Sequence, residues 1–444
     1  MDIVIKILQL ILSLSILVVV HEFGHFAAAK IFKTRVEKFY LFFNPWFSLF
    51  KFTYKGTEYG MGWLPLGGYV KISGMIDESM DKEQMAKDPQ PWEFRSKPAW
   101  QRLIIMLGGV FMNVVLAIVI YIGILSYYGE EYLPTSEANK YGISVDSLAM
   151  EMGFREGDKI ISVDDIYVED FQKIPVTMIL NESKTVQVIR NGEKVNIKLP
   201  SGSLNKLIKH KSPLFISIRF PFVADRFSEG SVAEKSGLKV GDSIIGINGM
   251  YIKYFTEFRG EIQKHKNEDV TIIVKHGMDT LNYAMKLDSS GLIGVYPQSD
   301  MERFFVFHKK EYGFIEAIPA GFNRTWKGID NYLKQLKLMF SSEVKAYEGV
   351  GGFGMIASIF PAEWHWQSFW RLTAFLSIML AILNVLPIPA LDGGHVMFLF
   401  YEIITRRKPS DRFLEYAQIV GMVLLFSLLI YANGMDVVRY FYPD

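Results

Sequence analysis

Four stretches of the chain are apolar over about 20 residues or more, the length that a helix needs to cross a bilayer. They run from Ile3 to Ala29, from Leu103 to Tyr128, from Leu372 to Leu391 and from Tyr416 to Met435. Between the second and third stretches, apolar and polar residues alternate over short runs, as they do in strands. The pattern therefore predicts a polytopic α-helical membrane protein with four spans and an inserted, soluble α+β region.

The inserted region contains an internal repeat. Residues 153–164 (GFREGDKIISVD) align with residues 237–248 (GLKVGDSIIGIN). The glycines and the aspartate favour a tight turn, and the Ile pair begins a buried strand. The repeat resembles two tandem PDZ domains of the bacterial kind, which bind extended peptides by strand addition. The alternative is a pair of β-rich spacers that bind no ligand and only exclude bulky ectodomains.

Charge and composition narrow the function further. A net charge of +1 argues against nucleic-acid binding, and the absence of cysteine excludes disulfides and thiolate metal sites. Basic residues follow the first apolar stretch at Lys30, Lys33, Arg35 and Lys38. By the positive-inside rule, both termini and the inserted region lie outside the cytoplasm. A cleaved signal peptide would have the opposite charge polarity.

The first apolar stretch contains the sequence HEFGH at residues 21–25. Residues four apart share a helix face, so His21 and His25 can direct two imidazole nitrogens at one metal ion. Glu22 lies between them, where it can act on a water rather than on the metal. This HExxH spacing is that of zinc hydrolases, with two Zn2+ ligands and a general base on one turn. The alternative, a polar patch at a helix end, is costly within an apolar span.

The third apolar stretch leads into the sequence NVLPIPALDGGH at residues 384–395. Pro387 and Pro389 must interrupt the helix and free backbone groups at membrane depth. Two histidines leave a tetrahedral zinc one protein ligand short, and we expect Asp392, the only acid in this stretch, to supply it. His395 is the rival ligand, and a helix cap is the alternative role for Asp392.

A segment rich in glycine and aromatic residues follows the first span. Residues 54–72 read as short strands broken by Gly and Pro, which predicts a β-hairpin. We expect this hairpin to dip toward the zinc and to offer a free edge to an extended substrate. The alternative is an ordinary cytoplasmic hairpin.

HEFGH, PLGGYVK, the tandem PDZ-like repeat and NVLPIPALDGGH follow one another in that order. This resembles the site-2 protease family of intramembrane zinc metalloproteases over nearly the whole chain. The resemblance implies a membrane re-entrant β-hairpin around residues 60–71. It also implies Zn2+ ligation by His21, His25 and Asp392, with Glu22 as general base. The substrate-binding residues that it implies are Asn384, Pro387, Pro389, Gly67, Gly68, Tyr69 and Val70.

The resemblance also implies partners and a location. Such proteins cut single-span transmembrane proteins in the bacterial inner membrane, among them a pre-trimmed anti-sigma factor and remnant signal peptides, in an envelope stress response. Membrane lipid and peptide ligands of the PDZ-like domains are further expected partners. The chain departs from the family pattern at Phe353, where the glycine cluster before the third span usually has Pro.

These patterns predict ten consecutive segments. They are a first span with HExxH (1–32), a cytoplasmic-side segment with the re-entrant hairpin (33–102), a second span (103–128), two PDZ-like domains (129–212 and 213–300), an interfacial amphipathic segment with a helix at Tyr332–Phe340 (301–370), a third span with LDG (371–400), a cytoplasmic basic loop (401–412), a fourth span (413–435) and a C-terminal tail (436–444).

Two other protein classes fit parts of the pattern. A catalytically silent scaffold would present the PDZ-like domains, but it would not need HExxH together with Asp392. An unrelated membrane zinc protease with its active site in an enclosed cavity would need a distal Glu ligand on a helix, and no comparable Glu is found. A transporter is disfavoured because the four spans show no inverted repeat.

Overall fold

The computed structural model describes residues 2–75, 88–210, 214–339, 341 and 351–441. Of the predicted segments, residues 1, 76–87, 211–213, 340, 342–350 and 442–444 lie outside the described part. The described chain divides into two compact units. One unit consists of residues 2–129, 311–337 and 351–441, and the other contains the repeat region, from residue 130 to residue 310, with residues 338–341.

The first unit begins with a helix, a β-hairpin and a second helix. These elements are α1 (Asp2–Ile31), β1 (Val36–Tyr54), β2 (Thr57–Ile72), a 3-10 turn (Phe94–Ser96) and α2 (Ala99–Tyr128). Pro98 precedes α2, where its missing N–H costs nothing, and Gly129 ends the helix at φ +69° while donating to the Leu125 carbonyl at 3.0 Å. Both helices are long and apolar enough to cross a membrane.

The hairpin is not a simple pair of strands, because each strand bends and pairs with more than one segment of the other. Residues 38–41 of β1 pair on one side with 58–61 and on the other with 68–71, while residues 48–54 pair with 57–62. Bulges lie between Leu41 and Phe43, and the pairing shifts again before Ser48. The result is a small sheet whose two outer segments are 48–54 and 68–72. Among the described residues, no other strand pairs with either outer segment.

The second unit contains both copies of the repeat. The elements of the first copy are β3 (Glu130–Tyr132), α3 (Thr135–Ala138), β4 (Ile143–Val145), α4 (Ser147–Glu151), β5 (Lys159–Val163), a 3-10 turn (Phe171–Lys173), α5 (Ile174–Leu180), β6 (Thr185–Arg190), β7 (Glu193–Lys198), α6 (Ser203–Lys209) and β8 (Ile216–Ile218). Strands β5, β6 and β7 form an antiparallel sheet, and β4 pairs with β8.

The second copy shares the central part of this order, a strand, a short helix, a strand, a helix and two paired strands. Its elements are β9 (Ala224–Phe227), α7 (Val232–Lys235), β10 (Ser243–Ile247), β11 (Met250–Tyr251), α8 (Phe255–Ile262), β12 (Asp269–His276), β13 (Asp279–Lys286), β14 (Val295–Pro297), a 3-10 turn (Met301–Arg303) and β15 (His308–Lys310). The sheet order is β11-β10-β12-β13, β9 pairs with β14, and β15 returns to pair with β3. Each copy has its own hydrophobic core.

The aspartate of the repeated sequence is fully buried in both copies. Asp158 and Asp242 are each 0% exposed, and each accepts a backbone N–H at 2.9 Å, from Arg155 and Lys239 respectively. Asp158 also accepts two hydrogen bonds of 2.8 Å from Arg190 at the end of β6. The repeated aspartate therefore closes the turn ahead of each central strand.

Arg190→Ala is expected to lower the local unfolding free energy of the first copy by about 3 kcal/mol, because it leaves Asp158 buried without its countercharge. Native-state hydrogen exchange of β5 and β6 in the full-length protein measures this change. Lys173→Ala is the control, since Lys173 is 63% exposed in its pair with Asp170 and should matter by less than about 1 kcal/mol. Equal protection of β5 and β6 in the two variants would contradict the prediction.

The first unit resumes after the repeat region, and its described residues there form five helices. They are α9 (Phe314–Leu338), α10 (Phe353–Ser358), α11 (Trp366–Val385), α12 (Asp392–Thr405) and α13 (Asp411–Phe441). Of the helix expected at Tyr332–Phe340, the part up to Leu338 belongs to a longer helix that begins at Phe314, and Phe340 lies outside the described residues. Helix α9 packs by its small and apolar face, where Gly321 meets Ile122 of α2 and Gly328 meets Ile378 of α11. Helix α11 and residues Arg412–Arg439 of α13 are the third and fourth candidate membrane spans.

Phe353 is the first residue of α10. Its backbone N–H donates to Asn433 Oδ1 on α13 at 3.2 Å, and the N–H of Met355 donates to Asp436 Oδ2 at 3.0 Å. A proline at position 353 would lack the donor that the first of these bonds uses. The departure from the family pattern therefore coincides with a side-chain cap that ties α10 to α13.

Candidate metal centre

Three side chains from two distant parts of the sequence meet in the first unit. His21 Nε2 and His25 Nε2 lie 3.1 Å apart, and Asp392 Oδ2 lies 3.2 Å from the first and 3.3 Å from the second. Both histidines are buried, and the Asp392 side chain is 16% exposed. Among the described residues, these three form the one group with donor atoms close enough to share a metal ion.

The donor set fits zinc. A tetrahedral ion with bonds of about 2.0–2.1 Å holds neighbouring ligand atoms about 3.3 Å apart, close to the three separations found here. In addition, Asp392 Oδ2 is buried and accepts no hydrogen bond within the described part of the chain. Two neutral nitrogens and a carboxylate oxygen facing one point are a donor set of the catalytic zinc class, in which three protein ligands leave the fourth position open.

Glu22 is adjacent to this cluster without belonging to it. It follows His21 on α1, and its carboxylate is close enough to His21, His25 and Asp392 to interact with them electrostatically. The main chain of Val70, on the outer segment 68–72 of the hairpin, lies close to the Glu22 carboxylate. This carboxylate therefore lies near the three donor atoms and near a segment of the sheet with which no further described strand pairs.

Glycines let the second helix approach the histidines. A Cβ at Gly24 of α1 would collide with the backbone of Gly108, so the two helices touch through their main chains. A Cβ at Gly109 would lie 2.5 Å from His25 Nε2 and 2.6 Å from His21 Cε1. Small residues permit such close helix contacts, and here they also create the space that the two rings fill.

The break between α11 and α12 positions Asp392 beside His21 and His25. Helix α11 ends at Val385 and α12 begins at Asp392, so the interval 371–400 contains two helices separated by the proline segment. Ala390 has φ +92°, a conformation that costs energy for a residue with a side chain. Gly393 and Gly394 pack against the carbonyls of residues 385–388, where a Cβ would collide. The chain thereby turns sharply enough to aim Asp392 at α1.

The resemblance also predicts seven substrate-binding residues, and three of them, Asn384, Gly68 and Val70, approach the cluster or helix α1 beside it. Asn384 Nδ2 is 3.3 Å from His21 Nε2. Gly68 approaches α1 so closely that a Cβ would lie 2.7 Å from Val18 Cγ1, and Val70 reaches Glu22 as described. Tyr69 instead points into the hairpin, where its hydroxyl donates to Asn44 Oδ1 at 2.9 Å.

The remaining predicted positions lie elsewhere in the hairpin, in the break between α11 and α12, or beside a separate cavity. Gly67 has φ +140° and packs on the Phe43 ring. Pro387 and Pro389 lie in the break between α11 and α12, and Pro389 is in backbone contact with Gly421 of α13. His395, the rival ligand, lines a cavity with Arg102 and Glu402 and is not in the three-residue group.

Asn113 lies near the cluster, and the sequence alone leaves its role open. An Asn in the second span is equally consistent with a hydrogen bond across a contact with the HExxH helix and with ordinary helix packing. In the structure its side-chain amide lies 3.1 Å from His21 Nδ1, and it is fully buried in α2.

Comparison with known proteins identifies the family of the chain. The model of peptidase family M50 matches residues 9–428. The chain is 28% identical to Protease RseP of Yersinia pestis over 97% of both chains. It is 27% identical to the regulator of sigma-E protease RseP of Escherichia coli over 94% of this chain and 95% of that one. A Vibrio cholerae protein described as a zinc metalloprotease is 27% identical over 99% of both chains.

The family match extends over nearly the whole length, from the first apolar helix to the last, and includes both parts of the three-residue cluster. Four helices of membrane-spanning length and composition accompany it. The chain therefore belongs to peptidase family M50 and is a multi-pass membrane zinc metalloendopeptidase of the site-2 protease type.

Proposed function

We propose that this protease cuts peptide bonds within the membrane-spanning segment of single-span proteins. The proposal rests on where the cluster lies in the chain. His21, Glu22 and His25 lie well inside α1, a helix of membrane-spanning length, and not in the unit that contains the repeats. A site built inside such helices is reached by substrates that are themselves in the membrane.

In this proposal His21 Nε2, His25 Nε2 and Asp392 Oδ2 hold the zinc. When bound, the ion acts as a Lewis acid that activates water and polarises a carbonyl. Glu22 accepts the proton of the attacking water on its carboxylate and passes it to the leaving amide nitrogen. Asn384 Nδ2, which lies 3.3 Å from His21 Nε2, offers a donor to the substrate's carbonyl oxygen.

In this proposal the hairpin supplies backbone hydrogen-bond partners to an unwound substrate. A transmembrane helix hides its peptide bonds in internal hydrogen bonds, so it must open before water can attack. We propose that the hairpin is membrane re-entrant and that the opened segment pairs with the outer segment 68–72, with Gly67, Gly68, Tyr69 and Val70 forming that edge. The proline break with Pro387 and Pro389 offers further free backbone groups from the opposite side.

The two repeats would act as PDZ-like domains, over residues 129–212 and 213–300. Support comes from the shared sequence, the common order of elements and a separate core in each copy. They would either bind extended peptides or exclude substrates with bulky ectodomains. The remaining segment boundaries given above belong to the same proposal, with residues 301–370 as an interfacial connection to the third span.

Location and substrates follow from the relatives and from charge. We propose the bacterial inner membrane, with both termini and the repeats on the periplasmic side and the active site toward the cytoplasm, since the basic residues flank the other span ends. Relatives are named as regulators of sigma-E. We accordingly propose pre-trimmed anti-sigma factors and remnant signal peptides as substrates, in an envelope stress response.

The direct test is cleavage of a single-span reporter by the purified protein in detergent, with the cut site mapped by mass spectrometry. We expect cuts inside the apolar segment, abolished by zinc chelation and restored by added zinc. Cuts confined to the flanking polar residues would overturn the intramembrane proposal while leaving the protease assignment intact.

The edge proposal has its own test. Val70→Pro is expected to reduce reporter cleavage about fivefold with zinc content unchanged, because it removes one backbone donor worth roughly 1 kcal/mol at the edge. Thr53→Pro is the matched control on the other outer segment of the same sheet, where Thr53 pairs with Glu58. Equal effects of the two prolines would count against strand addition at residues 68–72.

A further inference from the structure

The His21 ring has two nitrogens with different surroundings. Its Nε2 faces His25 Nε2 at 3.1 Å and Asp392 Oδ2 at 3.2 Å, so this is the nitrogen available to the zinc. A neutral imidazole carries one hydrogen and one lone pair on its two nitrogens. For Nε2 to offer its lone pair, the hydrogen must sit on Nδ1, and a buried N–H requires an acceptor.

Asn113 is the group opposite Nδ1. Its carboxamide lies 3.1 Å away with Nδ2 toward the ring, and its Oδ1 is buried without a hydrogen-bond partner in the described chain. The oxygen and nitrogen ends of a carboxamide have nearly the same shape, and the hydrogen-bond network decides which end points where. Turning the amide over would put Oδ1 opposite Nδ1–H and give the orphaned oxygen a donor.

We propose that Asn113 is a positioning residue that accepts the His21 Nδ1–H through Oδ1 and thereby reserves the Nε2 lone pair for zinc. The inference rests on the proposed role of His21 as a ligand. It assigns to Asn113 the outer hydrogen bond that zinc-binding histidines almost always make to an oxygen acceptor.

His25, the neighbouring proposed ligand, makes the same kind of hydrogen bond. Its acceptor is a backbone carbonyl, so no side-chain amide has to be turned over. His25 Nδ1 lies 2.8 Å from the Ile105 carbonyl, which can only accept, so His25 carries its hydrogen on Nδ1 and its lone pair on Nε2. Ile105, Gly109 and Asn113 follow one another at intervals of four on α2 and therefore share a face. On this face Ile105 supplies the acceptor for the His25 ring, Gly109 leaves space for both rings, and Asn113 supplies the acceptor for the His21 ring.

Asn113 is itself held in place from a third helix. Its backbone carbonyl accepts the hydroxyl of Ser377 on α11 at 2.7 Å, and Ser377 is fully buried. This bond supplies a matched control, because Ser377→Ala removes a buried hydrogen bond to Asn113 without touching the side chain that faces His21.

The test is zinc affinity of the purified full-length protein, measured by chelator competition. Asn113→Leu, and independently the smaller Asn113→Ala, should weaken zinc binding 10–100-fold, the usual cost of losing such an outer partner. Asn113→Asp keeps an oxygen acceptor and should stay within about threefold of the parent, as should Ser377→Ala. The absorption bands of bound Co2+ should be preserved in Asn113→Asp and altered in Asn113→Leu.

Two results would overturn the inference: parental zinc affinity in both Asn113→Leu and Asn113→Ala, or Asn113→Asp binding zinc as weakly as they do. His21→Ala separates this from failure of the ligand assignment. If His21→Ala loses zinc while the Asn113 variants keep it, the positioning role is wrong and the zinc site stands. If His21→Ala binds zinc like the parent, both are wrong.

Discussion

Glu22→Gln is expected to reduce cleavage of a single-span reporter at least about 100-fold, the lower end of what a general base contributes. The amide is nearly the same size as the carboxylate but cannot take the proton of the attacking water. Zinc content should remain stoichiometric, because Glu22 is not among the three grouped donors. Single-turnover cleavage and metal analysis on the same sample check both statements.

Glu58→Gln is the control for this prediction. Glu58 is another carboxylate of the first unit, where it accepts the Tyr40 hydroxyl at 2.9 Å within the hairpin. Its neutralisation should leave turnover within a few-fold of the parent. Parental turnover in Glu22→Gln, or loss of its zinc, would show that Glu22 has a different role.

Asp392→Ala is expected to lose both zinc and activity, with an affinity loss beyond the 10–100-fold typical of an outer partner. It removes one of three donor atoms that lie 3.1–3.3 Å apart and leaves only the two histidines. Metal content after dialysis and reporter cleavage are the measurements. The expected result is a protein that folds but holds no zinc and has no activity, since the close packing of Gly393 and Gly394 against residues 385–389 does not use the Asp392 side chain.

His395→Ala decides between the two ligand assignments that the sequence left open. His395 lines a cavity with Arg102 and Glu402, and Arg102 and Glu402 are themselves paired at 2.5 Å. Its removal should leave zinc and turnover nearly unchanged. The reverse outcome, with zinc retained in Asp392→Ala and lost in His395→Ala, would make His395 the third ligand.

Local spacing was sufficient to find part of this site. His21, Glu22 and His25 lie on one turn, so their chemistry is readable from five residues. Asp392 was inferred because it was the one acid beside the proline break, a reading that depends on composition and not on distance. The repeated GD sequence likewise indicated a turn before a buried strand, and Asp158 and Asp242 occupy that position.

Contacts between elements were harder to foresee. The turn residues of the hairpin predicted strands, but not that residues 38–41 pair on both sides, because the partner of a strand is chosen by bulges and non-local packing. The relation of Asn113 to His21 depends on the register of α1 against α2, which the Gly24–Gly108 contact sets. Neither register nor partner choice leaves a local signal in the sequence.

The origin of the metal ligands has a consequence for biosynthesis. His21 and Asn384, which meet at 3.3 Å, are 363 residues apart in the chain, and Asp392 follows later still. At about 5–20 residues per second, tens of seconds separate the synthesis of the two parts. On the proposed ligand assignment, the nascent chain carries HExxH without its third ligand during that time. We therefore expect the protease to be inactive until the segment with Asp392 has been synthesised and has packed against the first helix.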